Sequence, residues 1–138
     1  MINAQKKILI IDDDQRHLMT ASEILEEEGH QVITHNLAFG ATNLIKHHKP
    51  DLVLLDINMP ALSGDRLMSV MRDEIRGVPV VFYSSNDEDS LRRLVTECGA
   101  DGYICKGSII DLKNKVSRFL FSASKASVTV KLGADALL

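Results

Sequence analysis

The feature that most restricts what this chain can become is a repeated alternation. A short apolar run ends in a polar or charged residue, and a longer segment of helical spacing follows. Ile8–Ile11 and Leu52–Leu55 are unbroken aliphatic runs of strand length, the mark of strands buried on both faces. Val32–Thr34, Val80–Tyr83 and Tyr103–Cys105 supply three further strands, with Pro79 opening the fourth. Leu18, Ala21, Ile24 and Leu25 recur at helix spacing, and Gly29 closes that helix. A second helix is predicted over Ala38–His48, ended by Pro50. Asn58–Gly64 reads as a loop, with Gly64 in a turn of positive φ. Leu67, Val70 and Met71 carry a third helix, and Leu91, Leu94 and Val95 a fourth. The last runs from about Ser108 to about Phe121, with Ile109, Leu112, Val116, Phe119 and Leu120 on its inner side. Five strands separated by helices predict an α/β layer fold around a parallel sheet, with right-handed crossovers and the first and third strands central.

A chain of 138 residues is one ordinary domain and buries enough surface to need no staples. Its net charge of −3 argues against a surface built to grip nucleic acid or an anionic membrane. Cys98 and Cys105 lack metal-type spacing, so free thiols are expected. Neither a cleavable leader nor an apolar stretch of membrane-spanning length is visible, and a cytoplasmic location is expected. After Phe121 the composition turns to Ser, Ala and Lys, which divides the chain into a domain over 1–121 and a tail or linker stub over 122–138.

The chemistry collects at the strand ends. The first strand runs into Asp12-Asp13-Asp14, the third into Asp56, the fourth into Ser84-Ser85 and the fifth into Lys106. An open parallel sheet places all its carboxyl ends on one edge, where ligands bind. Acids, a hydroxyl and an ammonium are thus delivered together. Clustered carboxylates repel one another, and a bound cation removes that penalty. An all-oxygen set with room for water suits Mg²⁺ better than Ca²⁺. A carboxylate such as Asp56 can attack phosphorus and carry an acyl phosphate. Lys106 would then neutralise the transferring group, and the Ser84 hydroxyl would bond a phosphoryl oxygen.

The segments ILIIDDD, DLVLLDINMPALSGD, PVVFYSS and GADGYICKG, in that order, resemble the four signature segments of response-regulator receiver domains, the CheY-like branch of the flavodoxin-like folds. The resemblance covers roughly Lys6 to Phe121. It implies a doubly wound (βα)5 sheet of order 2-1-3-4-5. It implies Asp13 as a direct Mg²⁺ ligand, Asp12 acting largely through water, and Asp56 as both ligand and phospho-acceptor, modified to 4-aspartylphosphate. It also implies a backbone carbonyl from Asn58 to the metal, Ser84 as the switch hydroxyl, Lys106 paired with the phosphate, and Tyr103 as an aromatic whose rotamer follows phosphorylation. The phosphate would come from a histidine kinase or a histidine phosphotransfer protein. The output would be a downstream effector, a further domain, or a homodimer through the face of the fourth helix, fifth strand and fifth helix. No turnover of an exogenous substrate, and no direct nucleic-acid or membrane contact, is implied. One departure stands out: the family commonly has a cis proline after the lysine, and here Gly107 follows Lys106. A cis bond before a non-proline residue costs about 3–4 kcal/mol, so a trans bond is expected.

Plainer roles compete. Asp14 can serve as a helix cap, Ser84 and Ser85 as capping loop residues, and Tyr103 as a packing residue. His17, His30 and His35 read as surface or loop residues, and His47-His48 as cations suited to a helix C-terminus. The charges Asp87, Glu88, Asp89, Arg92 and Arg93 read equally as a solvated face or a partner face. Among other functions, a haloacid-dehalogenase-like phosphatase lacks its second acid, since the segment is Asp56-Ile57-Asn58. A pseudo-receiver would lack the complete acid set, a flavodoxin would carry a hydroxyl-rich loop after the first strand, and no GxxxxGK[ST] occurs.

Overall fold

The computed structural model describes residues 5–59, 66, 68–69 and 77–121. Five parallel strands form one sheet: β1 (Lys7–Ile11), β2 (Gln31–His35), β3 (Leu52–Leu55), β4 (Val80–Ser84) and β5 (Gly102–Cys105), in the order β2-β1-β3-β4-β5. The expected order is met, and the aliphatic runs of β1 and β3 lie inside the sheet, in register from Ile8 opposite Leu52 to Ile11 opposite Leu55. The helices are α1 (Gln15–Glu27), α2 (Ala41–His48), α3 (described at 66, 68 and 69), α4 (Glu88–Cys98) and α5 (109–121). Among the described residues no helix is long and apolar enough to cross a membrane.

Because side chains alternate across a strand, each strand feeds two cores. Leu9, Ile11, Val53, Leu55, Val80 and Phe82 pack with Ala41 and Ile45 of α2, Met68 of α3, and Leu91 and Cys98 of α4. Ile8, Ile10, Leu52, Leu54, Val81 and Ile104 pack with Leu18, Ala21, Ile24 and Leu25 of α1 and with Leu112, Val116 and Leu120 of α5. Helices on both faces make the sheet doubly wound, and each fully buried aliphatic side chain stabilises it by roughly 1.5–3 kcal/mol. Cys98 is buried and Cys105 half-buried, and both are free thiols.

Two local expectations need correction. The second helix begins at Ala41 rather than Ala38, because Gly40 holds φ 87°, a left-handed conformation that closes a turn before the helix starts. Ile109 is 55 % exposed rather than internal: it occupies the first turn of α5, before that helix settles on the sheet through Leu112. The loop residues Pro60 and Gly64, the apolar positions Leu67, Val70 and Met71, and the tail 122–138 lie outside the described residues.

Candidate functional site: the carboxyl edge of the sheet

The ladder hydrogen bonds continue one residue beyond the strands and set the side chains of the edge. Asp12 N–H donates to the His35 carbonyl at 3.0 Å, Asp56 N–H to Ile11 at 2.9 Å, and Lys106 N–H to Ser84 at 2.8 Å. Asp12, Asp56 and Lys106 therefore leave three strands of one sheet at nearly one level. Their side chains are almost wholly buried, and Ser84 is fully so.

Charged groups removed from water must be paired. The Lys106 ammonium meets Asp12 Oδ2 at 2.6 Å and Asp56 Oδ2 at 3.4 Å. The other carboxylate oxygens accept backbone donors: Asp12 Oδ1 from Asp14 N–H at 2.9 Å, and Asp56 Oδ1 from Asn58 N–H at 3.0 Å. Burial pushes the Asp56 carboxyl above its ordinary range. The Asn58 amide and the Lys106 charge oppose that rise, while the Asp12 charge adds to it. Oxygens of Asp12, Asp13 and Asp56 lie within 4.8 Å of one another, with Asp13 on the exposed side. A set made only of carboxylates, open to water through Asp13, fits a hard divalent ion such as Mg²⁺.

Ser84 joins this group through a neighbour. Its Oγ accepts from Asn58 Nδ2 at 2.9 Å and from Asn86 N–H at 3.2 Å, and Asn58 Nδ2 also donates to Asn86 Oδ1 at 2.9 Å. Asp14 stands apart: its Oδ1 accepts Arg16 N–H at 2.9 Å and caps α1. The Arg16 side chain beside it holds the Asp14 carboxyl down at about 2. Tyr103 turns toward α4, where its hydroxyl donates to Glu88 Oε1 at 2.7 Å and accepts from Arg92 Nη2 at 3.5 Å. The Lys115 ammonium lies 5.1 Å from the Tyr103 ring centre. The bond joining Lys106 to Gly107 is trans, as expected, and Gly107 holds φ 111°.

The structure also brings in two residues not assigned to the site from sequence. Asn86 bonds Ser84 and Asn58 as above. His17, expected at the surface, lies in the first turn of α1 with Nδ1 2.9 Å from the Lys106 ammonium and 3.6 Å from Asp12 Oδ2. The available signal was its place four residues after Asp13, where the first helical turn still faces the edge.

Comparison with known proteins agrees with this geometry. The family model described as response regulator receiver domain matches residues 8–117. The PhoP transcriptional regulatory protein for alkaline phosphatase synthesis from Bacillus subtilis is 33 % identical over 101 residues, covering 73 % of this chain and 42 % of that protein. The polar-differentiation response regulator DivK from Brucella anthropi is 29 % identical over 107 residues, covering 73 % of this chain and 84 % of that one. The chain thus spans less than half the length of the first relative and most of the second. A CheY-like receiver domain from Methanospirillum hungatei superposes with a TM-score of 0.80 at 28 % identity, over 89 % of this chain and 99 % of that one. NtrX from Brucella abortus gives 0.84 at 26 % identity, over 94 % of this chain and 30 % of that one. With its strand order, its acidic edge and a family match over most of its length, the chain belongs to the response regulator receiver domains.

Proposed function

We propose that Asp56 accepts a phosphoryl group and that the domain reports its phosphorylation state to a partner. The observation that carries this reading is the convergence of Asp12, Asp13 and Asp56 with the Lys106 ammonium at one buried edge. An Asp56 carboxylate oxygen attacks the phosphorus of a phosphohistidine on a histidine kinase or phosphotransfer protein. The new P–O bond forms as the P–N bond breaks, and the imidazole leaves with the electron pair. Asp12, Asp13, Asp56 and the Asn58 backbone carbonyl would hold Mg²⁺, which supplies charge neutralisation for the phosphoryl oxygens. Lys106 keeps Asp56 ionised against its burial, then moves its pairing to the phosphoryl group. Ser84 Oγ accepts from both asparagines, so the one proton of its hydroxyl is left to donate to a phosphoryl oxygen.

Drawing Ser84 toward a phosphoryl group disturbs its bonds to Asn58 and Asn86 at the start of the β4–α4 loop. Tyr103, tied to Glu88 and Arg92 of α4, follows that loop, and the surface of α4, β5 and α5 changes for an effector, an output domain or a second copy. The receiver unit spans 1–121, with 122–138 as tail or linker stub, and it works in the cytoplasm without turning over an exogenous substrate.

Intact-protein mass measurement after incubation with acetyl phosphate and Mg²⁺ tests the reading. The expected result is one phosphoryl adduct, absent with EDTA and absent in Asp56→Asn. An unmodified wild type, or an equally modified Asp56→Asn, overturns it. Light scattering with and without beryllofluoride then shows whether the output includes self-association.

A further inference from the structure

His17 has no part in the reading above, yet its Nδ1 lies 2.9 Å from the Lys106 ammonium. An ammonium has donors only, so a hydrogen bond between the two has Nδ1 accepting, with the ring proton on Nε2. Lys106 therefore has three acceptors: Asp12 Oδ2, His17 Nδ1 and, at the longest distance, Asp56 Oδ2. Two of them are carboxylates that a divalent ion would claim. His17 is the one that is not a carboxylate, and it belongs to α1, an element separate from the β5–α5 loop that carries the lysine.

The backbone of that loop is tied at Lys106 N–H to Ser84 and at the Ser108 hydroxyl, which accepts from Asp111 N–H, but Gly107 between them adds no packing. Gly107, at φ 111°, follows Lys106 with no side chain to pack, and a Cβ built there would meet no atom within 4 Å. Beside the ammonium lies a cavity of about 220 Å³ between α1 and α5, lined by His17, Ile24, Tyr83, Lys106, Ile109 and Leu112. The Tyr83 ring centre is 5.5 Å from the ammonium and offers the cation a second place to rest on that side. Once a divalent ion competes for Asp12 and Asp56, a lysine beside this cavity keeps His17 Nδ1 as its remaining acceptor.

We propose that His17 is a positioning residue for Lys106: its Nδ1 holds the ammonium beside Asp56 when the carboxylates engage a metal, doing from α1 what the glycine loop does not. The inference rests on the phospho-acceptor reading for its kinetic consequence, though not for the contact itself.

The test compares His17→Leu, which keeps bulk and removes the acceptor, with His17→Asn, whose Oδ1 can take the place of Nδ1. With acetyl phosphate and saturating Mg²⁺, His17→Leu is expected to lower the phosphorylation rate constant about tenfold, the effect of losing one hydrogen bond to a charged group. His17→Asn should recover most of it. In a Lys106→Ala background His17→Leu should change nothing further, since the histidine acts only through the lysine. The Lys106 Cε–H NMR signals of the unphosphorylated protein in saturating Mg²⁺, where the ion competes for both carboxylates, give a second readout: they should move toward free-lysine values in His17→Leu and stay in place in His17→Asn. An unchanged rate, an equal loss in both backgrounds, or Lys106 signals indifferent to His17→Leu overturns the inference. A wild type that takes no phosphate, with Lys106 signals that respond as expected, instead sinks the phospho-acceptor reading and leaves the contact standing.

Discussion

Ile11 and Asp12 are neighbours in the chain, and both are fully buried. They are buried for opposite reasons. Ile11 ends an apolar strand that packs on the face of α2 and α4, where removal from water stabilises the fold. Asp12 begins an edge where burial costs free energy, offset by Lys106 and the Asp14 amide. The same sheet thus has a middle that holds the protein together and a rim that strains against it. Stability and chemistry are separated by a single peptide bond, which is why open parallel sheets can vary their sites without losing their cores.

Substitutions on the two sides should differ in sign. The largest effect belongs to the middle. Phe82 is fully buried in β4, and Phe82→Ala should lower stability by about 3–5 kcal/mol in urea unfolding. A shift below about 1 kcal/mol would mean that the sheet centre is not the principal source of stability. Next comes overfilling at the outer strand. A Cβ at Gly102 would clash with the Phe119 ring, so Gly102→Ala should cost about 1–3 kcal/mol, relieved in part by Phe119→Leu. Additive losses in the double variant would place the strain elsewhere.

The rim reverses the sign. Asp56→Asn should stabilise the metal-free protein by about 1 kcal/mol, the scale at which active-site strain is commonly relieved. The pH dependence follows from burial, which raises the Asp56 pKa in the folded state, so that state binds the proton more tightly than the unfolded chain does. Wild-type stability from this group therefore falls as pH rises from the unfolded value, near 3.8, through the raised folded one. The advantage of Asp56→Asn should open across that window and be complete above it. Outside the buried rim, and with the sign of the middle, the smallest effect is expected at Asp14, whose depressed carboxyl caps α1 from a half-buried position. Asp14→Ala should lower the melting temperature slightly at neutral pH, and the difference should vanish as pH falls through about 2.

Most of the middle was legible in the sequence, because a doubly buried strand leaves an unbroken aliphatic run. Leu52–Leu55 is the clearest case, predicted and observed with the same bounds. Much of the rim was legible too, since a polar residue ending such a run has one place to go. Asp12, Asp56, Ser84 and Lys106 announced themselves in this way. What stayed hidden depends on contacts between distant segments or on backbone angles. His17 meets a lysine 89 positions away, and no helical periodicity encodes that partner. The tie of Asn58 to Ser84 and Asn86 spans 26 and 28 positions. The late start of α2 follows from the left-handed turn at Gly40, and glycine in sequence announces freedom without stating how it is used.

The most direct test of the account is chemical denaturation of wild type and Asp56→Asn, with EDTA and again with millimolar Mg²⁺. The account predicts that the variant is the more stable of the two in EDTA, and that Mg²⁺ stabilises the wild type more, narrowing or reversing the gap as the ion binds the folded carboxylates. Equal shifts in both proteins, or none in either, would contradict it.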